Sequence, residues 1–89
     1  MDAISQSESN VLADLTNLEK VLTEDLGGER ARLMIAYFDE VGKSAEQSMR
    51  TASHDAERRL ASQLTQGFFA AKRVVAHVWE TLHASTLPA

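Results

Sequence analysis

Cysteine is absent from the chain, which removes disulfides, thiolate nucleophiles and zinc-thiolate sites together. A reducing compartment fits such a sequence best. Proline occurs once, at Pro88, and of the four glycines only Gly27 and Gly28 are adjacent, so nothing else forbids helix between residues 5 and 85. No apolar run approaches the roughly 20 residues needed to span a bilayer. The N-terminal stretch MDAISQSESN carries acids where a secretory signal would carry Lys or Arg. The expectation is a cytoplasmic chain with no membrane insertion.

At 89 residues the chain is one domain, residues 1–89, and all its elements must share one core. A chain of this length buries only about 60 to 65% of its unfolded surface. Dependence on a partner for further apolar contact is therefore plausible from size alone. The net charge of -4 is unevenly spread. Residues 1–26 hold Asp2, Glu8, Asp14, Glu19, Glu24 and Asp25 against Lys20 alone, giving -5, and the remainder is +1. That split suits either a solvated acidic helix face or a meeting with a basic partner.

What is present in quantity is helical periodicity. Ser5-Gln6-Ser7-Glu8 has the spacing of a capping box, which predicts a helix start near Ser5. Behind it Val11, Leu15, Leu18, Leu22 and Leu26 recur at intervals of four, three, four and four, one side of a helix over about residues 5–26. Gly27-Gly28 then predicts a turn or kink. From Glu29 the stripe resumes as Met34, Phe38, Val41, Ala45, Met49 and Ala52, predicting a helix over about 29–51. Gly42 lies inside it at a cost of about 1 kcal/mol relative to Ala, which close approach of another helix would explain. The polar run Arg50 to Asp55 predicts a tight turn with Ser53 as N-cap. A last helix over about 54–85 carries Leu60, Leu64, Phe68, Ala71, Val75, Val78 and Leu82 within an arc of about 80°. One uninterrupted helix from 29 to 85 is the alternative, but it would run about 85 Å without a packing partner. The fold class expected is all-α: an antiparallel helical hairpin with an additional N-terminal helix, two to three helices in total.

Chemistry finds little footing in this pattern. His54, His77 and His83 do not offer the i, i+4 spacing of a helical metal site, and no His-Glu-x-x-His or calcium-loop pattern occurs. No serine stands in a Gly-x-Ser-x-Gly turn, no glycine-rich phosphate loop is present, and the acids lie mostly on polar faces. No enzyme activity, metal or cofactor is expected. Arg58-Arg59 and Lys72-Arg73 stud the last helix, yet an acidic chain with a pI near 5.2 lacks the concentrated positive charge of a nucleic-acid binder. Those basic residues are expected to pair with Glu57, Glu80 or the acidic first helix.

Two stretches carry a resemblance. Leu15-Thr16-Asn17-Leu18-Glu19-Lys20-Val21-Leu22, and the ending from Ala70 through Val75, Trp79 and Leu82 to His83, resemble the SsaE/YscE/EscE family of small type III secretion proteins over roughly residues 12–84. The Gly27-Gly28 break departs from that family's pattern. The resemblance implies a short helical hairpin in the bacterial cytoplasm. It also implies a co-chaperone that binds a tetratricopeptide-like chaperone, an early secretion substrate such as a needle subunit or translocator, or both.

Leu15, Leu18, Leu22, Phe69 and Trp79 are the partner-binding residues expected, since apolar and aromatic anchors dominate such interfaces. For Phe69 and Trp79, packing under the first helix is the competing expectation. Two other functions stand beside the first. One is a self-associating helical bundle, a homodimer built from the same stripes. The other is a small nucleic-acid-binding regulator.

Overall fold

In the computed structural model, residues 11 and 13–88 are described. They form an antiparallel hairpin of two long helices with a short helical layer laid across its open end. Helix α1 spans Leu18–Glu24, α2 spans Glu29–Thr51 and α3 spans Asp55–His83. Residues 13–16 are also helical. No strand occurs among the described residues. The all-α hairpin is thus the fold, and α2 and α3 do not fuse. The start expected at Ser5 lies outside the described residues.

The first helix is not continuous to residue 26. Asn17 leaves helical geometry at φ -127° and ψ 45°, in keeping with asparagine's preference for turns over helix interiors. Helix α1 then stops at Glu24, and Leu26, expected in the apolar stripe, is 81% exposed in the turn. The cause is Asp25. Its carboxylate turns back to accept the N–H groups of Arg30 at 3.2 Å and Ala31 at 2.9 Å, supplying the N-terminal cap that Gly28, at the nominal cap position, has no side chain to give. Gly28 itself takes φ 75°, a backbone conformation that favours glycine.

At the other end the α2–α3 turn differs in detail from expectation. His54, not Ser53, is the cap position, and no side chain bonds the orphan amides there. Arg58 ties the turn instead, reaching the Ala52 carbonyl and the Asp55 carboxylate, each at 3.2 Å.

The core gathers Val11, Val21, Leu22, Ala31, Met34, Phe38, Val75 and Trp79. It sits at the base of the hairpin, where α1 makes a third element. Toward the tip the buried residues shrink to Gly42, Ala45, Ala61 and Thr65. The ring of Phe69 lies on Gly42, where an added Cβ would come within 2.5 Å of it. This is the close approach that the mid-helix glycine implied. Gly67 has open space where a Cβ would stand.

These two glycines give opposite expectations. Gly67→Ala should stabilise by about 1 kcal/mol through helix propensity alone. Gly42→Ala gains the same propensity but drives a methyl into a ring, an overpacking cost of about 1 to 3 kcal/mol. Thermal melts of both variants should move in opposite directions, and a rise for Gly42→Ala would show that the helices do not meet there.

Candidate functional site

The arc of α3 that faces the core is rotated from the most apolar one. Ala61, Thr65, Val75 and Trp79 are buried, with Phe68 beside them half-buried. Leu60, Leu64 and Leu82, expected in the seam, remain 58%, 46% and 40% exposed, and Val74 is 54% exposed. At about 100° per residue, Leu60, Leu64, Ala71, Val74 and Val78 share an arc of about 80° centred roughly 100° from the buried one. The result is a ridge of apolar side chains along one flank of the hairpin. Burying alanine and threonine at the tip brings the helices close, and the leucines are left outside.

The five residues expected to bind a partner are placed unequally. Leu22 is fully buried and Trp79 is 2% exposed. Their surface is spent on the chain's own core, so neither presents a face for another protein. Leu15 and Leu18 are half-buried against that core. Phe69 is half-buried over Gly42, with the Lys72 ammonium 5.0 Å from its ring centroid. For Trp79 the competing expectation, packing under the first helix, describes what is found.

Trp79 is also the centre of a polar clasp. Its indole N–H donates to the Asp25 carbonyl at 2.7 Å. The ring of His83 stacks on it with centroids 4.3 Å apart, and His83 Nε2 lies 2.6 Å from the Leu22 carbonyl. A carbonyl only accepts, so Nε2 carries the proton. Asp25 therefore holds the start of α2 with its side chain and the end of α3 with its backbone. Neither Asp25 nor His83 was singled out for this from sequence. An aspartate five and six residues ahead of the amides it caps has no standard spacing to betray it.

The charged groups pair differently from the expected scheme. Lys72 reaches across to Asp39 on α2 at 2.6 Å, and Lys43 joins the same carboxylate at 2.8 Å. Asp39 is thereby held below the usual carboxylate range, through its bonds to Lys43 first and Lys72 second. Lys43 is held above its usual value by Asp39. Glu80 receives the Leu87 N–H at 2.9 Å rather than a basic side chain, drawing the C-terminal segment back onto the hairpin. Asp14 and Arg30 stand 3.9 Å apart and link the acidic N-terminal segment to α2.

The Asp39 cluster has a defined pH signature. A carboxylate whose folded value is lowered contributes stability that is complete above its unfolded value of 3.8 and is lost as pH falls through the lowered one. Lys43, raised when folded, contributes fully below 10.5 and loses that contribution as pH rises above it. Melting temperature should respond to Asp39→Asn between about pH 5 and 9 and lose that sensitivity in acid. An acid limb identical in slope for both proteins would count against the pairing.

No group of three or more His, Asp or Glu capable of holding a metal occurs among the described residues. No helix among them is long and apolar enough to cross a membrane. The grooves are open and shallow. One, lined by Arg32, Ile35, Asp39, Lys72, Glu80 and Leu87 among others, combines apolar side chains with charges of both signs; of its two carboxylates, Asp39 is held by Lys43 and Lys72 and Glu80 accepts the Leu87 N–H.

Fold and surface together define a small helical-hairpin protein whose most distinctive exterior feature is an apolar flank. The profile of the type III secretion system regulatory protein HrpD6 family matches residues 2–81, and the chain belongs to that family. The association with type III secretion expected from the resemblance holds at this level, while the family matched is HrpD6 and not the SsaE/YscE/EscE group. No curated protein and no solved structure matches the chain.

Proposed function

We propose that this protein is a cytoplasmic, non-catalytic binding module of type III secretion that acts as a co-chaperone, as the SsaE/YscE/EscE resemblance implies. Its partner would be a tetratricopeptide-like chaperone, a needle or translocator subunit, or the two together. The observation that carries the reading is the apolar ridge of Leu60, Leu64 and Val74, left uncovered on a hairpin whose core is otherwise closed. Exposed leucines in a row on a small domain mark protein contact. Secretion subunits that polymerise or insert in membranes have adhesive amphipathic helices, and a module binding only the folded, capped partner stabilises it by mass action. Leu15 and Leu18, half-buried at the base, and Phe69, half-buried on the side of α3 opposite the ridge, would add contacts of their own, whereas Leu22 and Trp79 act by holding the fold.

Co-expression with the chaperone and early substrates of the same secretion system tests this. A stable complex by size exclusion, with a melting temperature for the partner that rises with concentration of this chain, is the expected result. The reading fails if the chain elutes alone in every combination. A tight homodimer by light scattering, indifferent to those proteins, would establish the self-associating bundle in its place.

A further inference from the structure

Beyond the co-chaperone reading, and standing without it, the ridge on α3 has a self-complementary form. We infer that in the free protein it is covered by a second copy of the chain, α3 against α3 in antiparallel order, with the two-fold axis at Gly67.

The first support is a glycine that the single chain leaves unused. Glycine inside a helix lowers helix propensity, and at Gly42 the reason for it is the Phe69 ring pressed on that position. Gly67 lies inside α3 with nothing of its own chain within 4 Å of where a Cβ would stand. At about 100° per residue it falls within the exposed arc of Leu60, Leu64, Ala71 and Val74. Close approach of a backbone, the usual reason for such a glycine, must there come from another molecule.

Spacing and size supply the second support. Leu60, Leu64, Gly67, Ala71 and Val74 follow at intervals of four, three, four and three, the narrow seam by which two helices coil together. An antiparallel pair with its axis at Gly67 sets Gly67 against Gly67, Leu64 against Ala71 and Leu60 against Val74. Each leucine then meets a smaller side chain, and the two backbones meet at the centre. That is the isologous form, in which residue i touches j and j touches i. In parallel order each leucine would crowd its own copy, and Ala71 facing Ala71 would leave a gap.

Charge and area agree with this occupant. Residues 60–71 carry no charged side chain, and Arg59, Lys72 and Arg73 project about 100° or more from the centre of the ridge. A partner of either sign gains nothing from such a strip, whereas a second copy brings a strip equally free of charge and no ion is desolvated. From Leu60 to Val74 the ridge runs about 21 Å and is one helix, about 10 Å, wide, short of the roughly 800 Å² per partner of a standard interface. The pair is therefore reversible, with a dissociation constant of about 1 to 100 µM. A secretion partner that takes the ridge must displace the second copy first.

Sedimentation velocity of the full chain from about 1 to 500 µM is expected to show monomer giving way to dimer. Gly67→Ala should weaken pairing at least about tenfold even as it stabilises the helix, and Leu64→Ser should weaken it by a similar factor. Gly67→Glu sets two carboxylates face to face and should abolish pairing while helical circular dichroism is retained. Leu26→Ser, an exposed leucine off the ridge, should change nothing. Because the chain has no cysteine, a mixture of Leu60→Cys and Val74→Cys reads the register: it should form a disulfide-linked heterodimer on mild oxidation, while neither variant alone cross-links.

A monomer across that range, a dimer indifferent to Gly67 and Leu64, or cross-linking of each cysteine variant with itself would overturn the proposal. A chain that stays monomeric yet captures a secretion partner sinks the pairing and leaves the co-chaperone reading standing. Pairing through Gly67 with no secretion partner captured does the reverse.

Discussion

Replacing Trp79 by alanine is expected to abolish cooperative unfolding at 37 °C. The substitution deletes the largest side chain of the core, 2% exposed at the joint of α1, α2 and α3. Truncations of this kind cost about 3 to 5 kcal/mol, against a total of about 4 to 13 kcal/mol for a domain of this length. Lost with it are the bond from the indole N–H to the Asp25 carbonyl and the stack on His83. Trp79→Phe separates these effects. It keeps most of the apolar volume and leaves the Asp25 carbonyl without its buried donor, a cost of about 1 to 3 kcal/mol. Chemical denaturation followed by circular dichroism measures both. Near-native stability of the alanine variant would show that Trp79 faces outward in solution and would return it to the partner-binding surface.

The second large effect is expected at Asp25. This residue is 8% exposed and forms no ion pair among the described residues, yet its carboxylate accepts two amides of the first turn of α2. An anion there satisfies orphan donors and opposes the positive end of the helix dipole. Asp25→Ala leaves both amides unpartnered and buried at Ala31, and should cost about 2 to 3 kcal/mol. Asp25→Asn retains one acceptor oxygen and loses the charge, so about half that loss is expected. The diagnostic measurement is hydrogen exchange. Amides 30 and 31 should lose protection in Asp25→Ala together with residues 18–24, because the Asp25 backbone also anchors α1 to Trp79. Confinement of the change to α2 alone would mean that the two roles of Asp25 are not coupled.

A charge-free change at the ridge should behave in the opposite sense. Leu60 and Leu64 make little of the core, so serine there leaves stability near that of the parent, within the ±0.5 kcal/mol usual for surface positions. The core that sets stability lies at the base of the hairpin, and the exposed leucines Leu60 and Leu64 lie toward its tip. The division follows from where the large side chains are spent.

Much of this architecture is legible in the residues. The helix over 29–51 ends where the polar run begins, the turn at Gly27-Gly28 is where a residue is needed at positive φ, and Gly42 announces a close approach that Phe69 makes. These features depend on local chemistry: propensity, periodicity and the steric freedom of glycine. Which leucines stay exposed was harder to see for a physical reason. Periodicity ranks arcs of a helix by apolar content, and on α3 the richest arc runs through Leu60, Leu64 and Val78. Burial is decided instead by which arc lets two backbones approach, and toward the tip the buried residues are the small ones, Gly42 and Ala45 on α2 and Ala61 and Thr65 on α3. The rotation sends Trp79 inward and Leu60 and Leu64 outward. Asp25 escaped notice for a related reason, since the amides that donate to it lie five and six residues ahead and meet it only because the intervening turn folds back.

From its residues alone, then, this chain is a helical protein with a break after residue 26 and another after 51, and with more apolar surface than three short helices can hide. Those properties are sums over neighbours in sequence, so local physics suffices to determine them. Which side of α3 closes the core, which leucines remain at the surface, and that one aspartate joins three helix ends are decided only by packing in three dimensions. Each depends on the distance between groups far apart along the chain, and periodicity carries no information about that distance.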